Sequence, residues 1–473
     1  MFVFLVFLKI YVIIIRMKSL LSNEIISFAK TLRKPLYVVG GAVRNYLINQ
    51  TESEDVDLAA GIPAEEFLVA LNSFGFKVLA TYKHMGTVVF SDRTRKYEYT
   101  AFRKEKYVGG EHVPTLTEFT EKIEEDARRR DFKCNAVYYD VVSGEYVDPL
   151  GGINDIENKT LDTVVEPEKV FSNDGLRLMR LARFAGELNF TPTESVLLAA
   201  KKYADNITAV SGERIYEELK KILVSDTKYE FSDKRGHYNG LKILDRTRVL
   251  DRIIPEIVEG RKMAQRADFH KYDVLEHSLR CVLYADASVR LDALLHDVGK
   301  PYCMKRDGWY YSHFIEGVKI AEGILKRLRV DKETIKRVLF IIKTHMVDID
   351  CSMKTEKVRK FIVENYHGYF KQLLLVKQAD YRASLEEEFV APAVAKWTKI
   401  LAQMKEENTP FTLKELKINA SDLIELGFKG EEIGKELRKL HMIAVKKPEN
   451  NQYETLLKTA KEDLNTKQEK GKI

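Results

Sequence analysis

Residues 36–57 of the chain read LYVVGGAVRNYLINQTESEDVD. The four apolar residues at 36–39 run directly into a Gly-Gly pair, and the apolar spacing beyond it is helical through Leu47. This order predicts a strand, a glycine turn and a helix. The stretch ends on Asp55 and Asp57, which stand two residues apart and would project from the same face of a second strand.

The chemistry of this stretch suits a nucleoside triphosphate. Asp55 and Asp57 could hold Mg²⁺, which prefers oxygen ligands and can activate a hydroxyl and stabilise leaving pyrophosphate. Gly40 and Gly41 let backbone N–H groups approach phosphates, and Arg44 is a natural phosphate ligand. Either motif by itself would be read as a plain turn or a polar strand end. Their order and close spacing favour the site.

A second charged run, Arg128-Arg129-Arg130-Asp131, precedes Phe132-Lys133-Cys134-Asn135-Ala136. In isolation, three arginines would be a solvated charge run. The Asp-Phe-x-x-Asn-Ala pattern favours a specific role, in which Asp131 accepts from ribose hydroxyls and the arginines hold phosphates. Strand-like runs are predicted around these motifs, at residues 56–58, 88–90, 97–99 and 132–142.

Composition sets broad limits on the protein. The 473 residues suggest two to four domains, and 45% hydrophobic with 31% charged residues is ordinary for a globular chain. The net charge of +6 permits a nucleic-acid partner without requiring one. Four scattered cysteines argue against a disulfide framework or a zinc finger and fit a reducing cytoplasm.

An apolar segment at residues 1–16, broken by Lys9, precedes Met17. It is shorter than the ~20 residues that a membrane span needs, and no small-residue cleavage site follows it. A membrane anchor, an unusual N-terminal helix and a misassigned start upstream of Met17 are the three interpretations. The short span favours the last of them, and no membrane partner is expected.

Beyond Asp148-Pro149-Leu150-Gly151-Gly152 the sequence changes character. From Val170 onward the apolar spacing is helical, with few Gly or Pro interruptions. Asp174 and Arg177 are predicted to share one face of a helix, at positions i and i+3. An intrahelical ion pair is the plain interpretation of these two residues.

A second set of chemistry-bearing residues occurs in the helical half. His277, His296-Asp297 and Asp380 follow the order H…HD…D, and imidazole with carboxylate suits a divalent metal. This order resembles the HD phosphohydrolase superfamily, in which His313 and His345 would be extra ligands of two-metal members. Gly317 stands where those members have a further histidine, which argues against a second metal in this domain.

Six motifs in the chain occur in the order typical of one enzyme family. They are GGAVRN at 40–45, DVD at 55–57, RRRDFKCNA at 128–136, DPLGGINDI at 148–156, NDGLRLMRLARFA at 173–185 and GERIYEEL at 212–219. They resemble the CCA-adding enzyme and bacterial poly(A) polymerase family, a class II branch of polymerase-β-like nucleotidyltransferases. The resemblance extends over nearly the whole chain from Met17.

The resemblance implies an α+β fold, with a small mixed α/β head followed by an all-helical neck, body, HD domain and tail. The implied ranges are 17–150 for the nucleotidyltransferase head, 151–265 for neck and body, 266–400 for the HD domain and 401–473 for a tRNA-contacting tail. The implied reaction adds CMP and AMP from CTP and ATP to the tRNA 3′ end without a nucleic-acid template. The implied cofactors are Mg²⁺ in the head and a second divalent metal, of unknown identity, in the HD domain.

The resemblance also assigns residues to roles. The catalytic residues would be Asp55, Asp57 and, as a third carboxylate, Glu98. The nucleotide-binding residues would be Gly40, Gly41, Arg44, Arg130, Asp131, Asn135, Asp174, Arg177, Arg180 and Arg183. The metal ligands would be Asp55, Asp57, His277, His296, Asp297 and Asp380. Within the nucleotide set, Asp174 and Arg177 would present hydrogen-bonding groups to the Watson–Crick edges of the bases.

Several features depart from the family or leave alternatives open. Asn45 and Asn173 stand where the family usually has Asp and Glu. The segment between Arg103 and Glu118 corresponds to a flexible loop that helps the family switch from C to A addition. Lys429, Lys435 and Lys439 could touch tRNA phosphates or lie on a solvated helix face.

Three other functions stay open at this point. A poly(A) polymerase, or an enzyme that adds only CC or only A, has the same fold. A phosphohydrolase with an RNA-binding head, and a membrane-tethered RNA-binding protein, are alternatives of other classes. The HD domain could hydrolyse 2′,3′-cyclic phosphates or phosphate esters, or serve only as a helical spacer.

Overall fold

The structure is a computed structural model that describes residues 21–49, 56–92, 94–107, 115–265, 271–386 and 388–470. The apolar extension at 1–16 and Asp55 lie outside these ranges. Contacts divide the chain after Pro255 into two units, Met1–Pro255 and Glu256–Ile473. Among the described residues, no helix has the length and apolar character needed to cross a membrane.

The strands of the first unit differ in burial: residues 96–99 alternate exposed and buried side chains, whereas residues 87–90 are buried throughout. They are β1 (Tyr37–Val39), β2 (Val56–Ala60), β3 (Lys77–Tyr82), β4 (Thr87–Ser91), β5 (Lys96–Ala101), β6 (Arg103–Lys106), β7 (Leu116–Phe119), β8 (Tyr138–Asp140), β9 (Tyr146–Val147), β10 (Thr160–Leu161) and β11 (Thr191–Pro192). Within the described ranges, the main sheet has seven strands in the order β3-β4-β5-β2-β1-β8-β9.

Three pairings in this sheet fix the register near the first motif. β1 runs antiparallel to both β2 and β8, whereas β2 and β5 run parallel. The strands predicted at residues 56–58, 88–90 and 97–99 are confirmed. The strand predicted over 132–142 is wrong in its first half. Residues Lys133–Asn135 form a 3₁₀ turn there, closed by the Asn135 N–H bond to the Phe132 carbonyl at 2.9 Å.

Helices α1 (Asn23–Ala29), α2 (Gly41–Asn49), α3 (Ala64–Phe74), α4 (Ile123–Arg128) and α5 (Gly152–Glu157) accompany the sheet. Aromatic rings join them to it: Phe67 of α3 stacks on Tyr99 of β5 with centroids 3.5 Å apart. The Tyr99 hydroxyl donates to the Ile62 carbonyl at 2.5 Å, which satisfies its polar end in a buried place. This core holds β2 and β5 side by side, and therefore fixes the residues on their exposed positions.

The rest of the first unit is mostly helical, as the spacing predicts. Its helices are α6 (Pro167–Asn173), α7 (Leu176–Leu188), α8 (Glu194–Lys202), α9 (Gly212–Leu223), α10 (Gly236–Arg246) and α11 (Leu250–Ile253), and α12 (Pro255–Val258) begins at the division between the units. Helices α7 and α10 pack so closely that a Cβ on Gly186 would lie 2.5 Å from the Gly236 carbonyl oxygen.

Described residues of the second unit form helices α13 (Val274–Tyr284), α14 (Arg290–Leu295), α15 (Lys300–Asp307), α16 (His313–Arg327), α17 (Lys332–Thr344), α18 (Thr355–Asn365), α19 (Phe370–Leu385), α20 (Pro392–Glu406), α21 (Ala420–Leu426), α22 (Glu431–Lys446) and α23 (Tyr453–Lys470). Helices α21–α23 share a core that includes Leu423, Leu440 and Leu456. Mixed sheet followed by helices confirms the expected α+β class; the finer domain boundaries stay predictions.

Candidate functional sites

The glycine turn lies directly against the catalytic candidate Asp57. Register pairs Val39 with Asp57 across β1 and β2, so the turn begins beside this carboxylate. Gly40 has φ of +78°, which favours glycine. A Cβ at Gly40 would lie 3.5 Å from Asp57 Oδ2 and 3.7 Å from Arg130 Nη1. Two distant motifs of the sequence therefore meet at this turn.

Asp57 and Glu98 are register partners on the parallel strands β2 and β5. Both are exposed, whereas their strand neighbours Val56, Leu58 and Tyr97 are buried. Partnered residues on parallel strands point to the same face, so this face carries two carboxylates. Oxygen ligands of this kind fit Mg²⁺. Asp55, the third predicted carboxylate, lies outside the described residues.

A buried carboxylate that the sequence reasoning missed holds the arginines of the second motif. Asp126 Oδ1 accepts from Arg129 Nε at 2.7 Å, and its Oδ2 accepts from Arg130 Nη2 at 3.1 Å and from the Tyr138 hydroxyl at 2.7 Å. Burial opposes ionisation, but these partners outweigh it and lower the pKa of Asp126 to about 2. Asp126 thus fixes Arg130 beside Gly40 and Asp57.

Arg44 is buried, with 3% of its surface exposed. Its Nη1 donates to Asn135 Oδ1 at 2.5 Å and its Nη2 to Asn45 Oδ1 at 2.8 Å. The ring of Phe184 packs under the guanidinium, 5.0 Å from Cζ to the ring centroid. Arg44 therefore lies within the protein behind the glycine turn.

Asp131 is the centre of the second motif. Arg180 donates to its Oδ2 at 2.7 Å, and Asn135 Nδ2 donates to its Oδ1 at 2.9 Å. Burial would raise the pKa of Asp131, but Arg180 and Asn135 hold it well below its usual range. The structure therefore brings together three of the predicted nucleotide-binding residues, Asp131, Asn135 and Arg180. They form one hydrogen-bonded cluster in which the Asp131 carboxylate is ionised.

The prediction that Asp174 and Arg177 lie on one helix is wrong. Helix α6 ends at Asn173, and Asp174 has extended backbone with φ of −143°. Its Oδ1 accepts from the Leu176 N–H at 2.8 Å, so the carboxylate closes the gap before α7. The pair still meets, with Arg177 Nε 3.6 Å from Asp174 Oδ2. A break between two helices, held by the carboxylate, replaces the single predicted helix.

Two further contacts orient Arg177. Its Nη2 donates to the Arg129 carbonyl at 2.7 Å, and its Cζ lies 5.4 Å from the centroid of the Tyr107 ring. The Tyr107 hydroxyl donates to Glu105 at 2.5 Å, and Glu105 pairs with Arg129 at 3.3 Å. Glu105 was missed because its pairing with Arg129 joins positions that are 24 residues apart.

The predicted flexible loop between Arg103 and Glu118 is in part a hairpin. β6 pairs antiparallel with β7, with Arg103 opposite Phe119 and Lys106 opposite Leu116. Residues 108–114 between them lie outside the described ranges. Arg183, the last predicted nucleotide-binding residue, packs over Phe184 at 4.3 Å and pairs with Glu218 at 3.0 Å.

In the second unit, the H…HD…D residues converge. His277 Nε2 lies 3.1 Å from Asp380 Oδ1 and 3.5 Å from Asp297 Oδ2, while His296 Nε2 lies 3.1 Å from Asp297 Oδ2. One ligand group therefore comprises His277, His296 and Asp380. Burial would lower the pKa of His296, but Asp297 raises it well above its usual range, so this place favours positive charge.

A second ligand group adjoins the first. Asp297 Oδ1 lies 3.2 Å from His313 Nε2 and 3.6 Å from His345 Nε2, and these two ring nitrogens are 3.2 Å apart. Asp297 thus faces both groups, with one oxygen toward each. The absence of a histidine at 317 argued against a second metal, yet the second group assembles without that position.

Packing restricts the side chain that position 317 can carry. A Cβ there would lie 3.1 Å from Ile342 Cγ2 and 3.4 Å from the Gly299 nitrogen. A Cβ on Gly299 would lie only 2.1 Å from the His313 carbonyl oxygen. Gly299 therefore lets the turn after His296-Asp297 approach α16, while a side chain at 317 would require Ile342 to shift slightly.

Backbone carbonyls fix the rings of the second group. His313 Nδ1 lies 2.8 Å from the Tyr310 carbonyl oxygen, and His345 Nδ1 lies 2.7 Å from that of Ile342. Because a carbonyl oxygen only accepts, each Nδ1 must carry a proton. Burial lowers the pKa of His345 to about 4, so this ring is neutral and its Nε2 lone pair faces Asp297. Such outer contacts are typical of histidines that bind metal.

Two buried lysines, Lys300 and Lys377, stand beside these groups. Lys300 Nζ lies 2.6 Å from Asp297 Oδ2. Lys377 donates to the carbonyls of His345 and Val347, both at 2.6 Å. Lys377 lies one turn before Asp380 on α19. Its hydrogen bonds therefore connect the helix that carries Asp380 to the backbone at His345 and Val347.

The tail lysines do not share one environment. Lys435 pairs with Glu431 at 3.2 Å and Lys439 pairs with Asp463, while Lys429 lies in the turn before α22. All three are exposed. Their contact with tRNA phosphates stays a prediction.

Comparison with protein families finds three matches along the chain. Residues 36–162 match the poly A polymerase head domain, residues 189–260 match a domain described as "Probable RNA and SrmB-binding site of polymerase A", and residues 274–385 match the HD domain. The head match contains the carboxylate face, and the HD match contains both ligand groups.

Individual proteins extend this likeness. An A-adding tRNA nucleotidyltransferase of Deinococcus radiodurans is 31% identical over 365 residues, which cover 73% of this chain and 76% of that protein. A multifunctional CCA protein of Xanthomonas campestris is 26% identical over 87% of this chain and 98% of its own length. The crystal structure of a Bacillus stearothermophilus CCA-adding enzyme with CTP shares the fold, with a TM-score of 0.64 and 22% identity over 95% of this chain and 98% of that one.

Proposed function

Because the chain belongs to the tRNA nucleotidyltransferase family that includes the CCA-adding enzymes, we propose that it adds CMP and AMP to the 3′ end of tRNA without a nucleic-acid template. The observation that carries this proposal is the meeting of Gly40, Asp57 and Arg130 at the glycine turn. A carboxylate, a glycine turn and an arginine are the groups that a metal-bound triphosphate requires.

The carboxylate face has the oxygen donors to hold Mg²⁺, through Asp57 and Glu98 together with the predicted Asp55. When bound, the metal would lower the pKa of the attacking hydroxyl and neutralise the leaving pyrophosphate. Gly40 and Gly41 offer backbone N–H groups to the phosphates, and Arg130 adds a positive charge held in place by Asp126. In this account the protein contributes position and charge rather than a covalent intermediate.

Selection of the base would fall to Asp174 and Arg177. A carboxylate accepts from the exocyclic amine that C and A both carry, and a guanidinium donates to their ring or carbonyl acceptors. U and G do not offer the same pattern at that edge. The contacts of Arg177 with Tyr107 and the Arg129 carbonyl support this role, because they hold the guanidinium in one orientation.

The experiment separates full CCA addition from its partial relatives. tRNAs ending at the discriminator base, at C and at CC are incubated with Mg²⁺ and either CTP or ATP, and products are resolved to single nucleotides. We expect two C additions to the first substrate, one to the second, and one A only to the third. A added only to the CC end, with no use of CTP, would select the A-adding activity of the Deinococcus relative. Long A tails would select a poly(A) polymerase.

For the second unit we propose a resident divalent metal in the HD domain. The supporting observation is the convergence of His313 Nε2 and His345 Nε2 at 3.2 Å, both beside Asp297 Oδ1. Electron pairs that face one another at this distance repel unless a cation or a proton lies between them. Imidazole and carboxylate together suit Mn, Fe, Ni, Co or Mg.

Such a metal would activate water for hydrolysis of phosphate esters. Lys300 beside Asp297 supplies a positive charge for a phosphate group. Release of 2′- or 3′-monophosphate from 2′,3′-cyclic CMP, with each divalent metal added in turn, tests the activity. Product formation above that of an Asp297→Ala variant would support it, and equal rates would leave the domain as a helical spacer.

We place these activities in the cytoplasm. The four cysteines are free thiols, three of them buried, as expected in a reducing compartment. The proposed substrates, tRNA, CTP and ATP, are consistent with this location.

A further inference from the structure

One departure of this chain from its family has a structural partner far along the sequence. Asn45 Oδ1 accepts from Arg44 Nη2 at 2.8 Å, from Arg44 Nε at 3.2 Å and from the Tyr229 hydroxyl at 2.6 Å. Tyr229 lies 184 residues beyond Asn45, just before α10, and is buried. Its hydroxyl therefore reaches into the motif that contains the glycine turn.

The contact belongs to a relay of hydrogen bonds. Arg44 Nη1 donates to Asn135 Oδ1 at 2.5 Å, and Asn135 Nδ2 donates to Asp131 Oδ1 at 2.9 Å. A guanidinium only donates and a carboxylate only accepts, so the Asn135 amide has one possible orientation between them. Tyr229, Asn45, Arg44 and Asn135 thus lead stepwise to Asp131.

Asn45 lacks the charge that Asp would bring to this position. An Asp would hold Arg44 by an ion pair, whereas the neutral amide holds it by hydrogen bonds alone. An amide can also rotate to present its N–H₂ group, which would repel Arg44. The Tyr229 hydroxyl opposes that rotation because its oxygen accepts from Arg44 Nη2 at 3.5 Å, which leaves its proton to be donated to Oδ1.

We propose that Tyr229 is a positioning residue for ribose selection, acting through Asn45, Arg44 and Asn135 on Asp131. The inference rests on the proposed function, in which Asp131 reads the sugar of the incoming nucleotide. It assigns a role in sugar choice to a residue outside the six motifs of the sequence analysis, within the matched range 189–260. Tyr229 does not touch the nucleotide in this account.

The test compares Tyr229→Phe with Tyr139→Phe. The Tyr139 hydroxyl is buried and has no hydrogen-bond partner among the described residues, so its removal is a matched control. The readout is the ratio of kcat/KM for CTP to that for dCTP, on a tRNA ending at the discriminator base. We expect the ratio to fall about three- to tenfold in Tyr229→Phe, as the loss of one hydrogen bond predicts, and to stay unchanged in the control.

A second variant distinguishes positioning from loss of fold. Asn45→Asp keeps the acceptor for Tyr229 and adds a charge for Arg44, so Tyr229→Phe should lower the ratio less in that background. An unchanged ratio in Tyr229→Phe, or an equal fall in Tyr139→Phe, would overturn the inference while incorporation continues. Absence of any incorporation by the parent protein would instead overturn the proposed function.

Discussion

The two sites of this chain use carboxylates in opposite environments. In the first unit, Asp57 and Glu98 stand exposed on neighbouring strands, with buried arginines behind them. In the second unit, Asp297 is 2% exposed and faces histidine rings on both sides. The first arrangement leaves room for a large substrate, whereas the second encloses its ligands within the helices.

This difference indicates how each site would acquire its cation. An exposed pair of oxygen ligands leaves much of an octahedral shell open, so Mg²⁺ would be held together with the triphosphate. Buried histidines whose Nδ1 atoms bond to backbone carbonyls are already oriented before any ion arrives. The comparison predicts that the metal in the head binds and dissociates with the substrate, whereas the metal in the HD domain stays bound.

The substitution with the largest expected effect on this difference between the two sites is Asp57→Ala. Removal of the carboxylate beside the glycine turn should lower nucleotide incorporation on the order of 10³-fold, because several kcal/mol of charge stabilisation are lost. Single-turnover extension of a tRNA ending at CC measures the effect. The metal content of the purified variant should equal that of the parent, and a loss of resident metal would contradict the separation of the two sites.

The reciprocal change is Asp297→Ala, which removes an oxygen from both ligand groups of the HD domain. We expect the metal retained after dialysis, measured by inductively coupled plasma mass spectrometry, to fall to background, while incorporation stays within about twofold. Glu316→Gln is the matched control, since this acid lies in the first turn of α16 but pairs with Arg306 at 3.0 Å. Equal metal content in the parent and in Asp297→Ala would refute a resident metal at this cluster.

A smaller effect on the head should follow from Arg177→Ala. Loss of a bidentate donor to a base edge is expected to lower the preference for CTP and ATP over UTP and GTP by about 10- to 100-fold. The ratio of kcat/KM values for the four nucleotides measures it. Arg177→Lys should recover only part of the preference, because an ammonium lacks the planar fork. An unchanged ratio in Arg177→Ala would remove this residue from base selection.

The smallest expected effect concerns the buried support of the head. The pKa of Asp126 is lowered to about 2, below that of an unfolded aspartate, so its ionised form stabilises the fold above pH 4 and loses this contribution as the pH falls toward 2. Asp126→Asn should therefore lower stability at pH 7 by roughly 2 kcal/mol and remove that part of the pH dependence. Amide hydrogen exchange in α4 and β8 measures the local free energy of opening.

Glu124→Gln is the control for this prediction. Glu124 lies on the same helix but is exposed, so its removal should change the opening free energy by less than about 0.5 kcal/mol. An equal loss in both variants would show that helix α4, and not the carboxylate, sets the stability.

The sequence predicted those parts of the sites that local spacing controls. The strand, turn and helix of residues 36–57 depend on neighbouring residues, and the glycine turn beside Asp57 follows from them. Asp126 was missed because its burial and its contact with Tyr138 depend on the fold of the sheet, although Arg129 and Arg130 lie only three and four residues further along the chain. The break at Asp174 was missed because the apolar stripe continues across it, while the carboxylate takes the Leu176 N–H.

The metal-ligand cluster of the HD domain was also predicted only in part from the sequence. The order H…HD…D predicted convergence through its resemblance to the HD superfamily, and the structure brings these residues together. The absence of a histidine at 317 argued against a second metal, and that stays a prediction. The second group of possible ligands, Asp297, His313 and His345, assembles without that position.

The most direct test of the central claim is the sequence of the product's 3′ end. Wild-type protein is given a tRNA ending at the discriminator base, Mg²⁺ and all four nucleoside triphosphates at equal concentration, and the extended RNA is sequenced. If protein side chains select the nucleotides without a nucleic-acid template, every extended molecule should end in C, C, A and stop. Ends that contain U or G, or that continue into tails of A, would contradict the account.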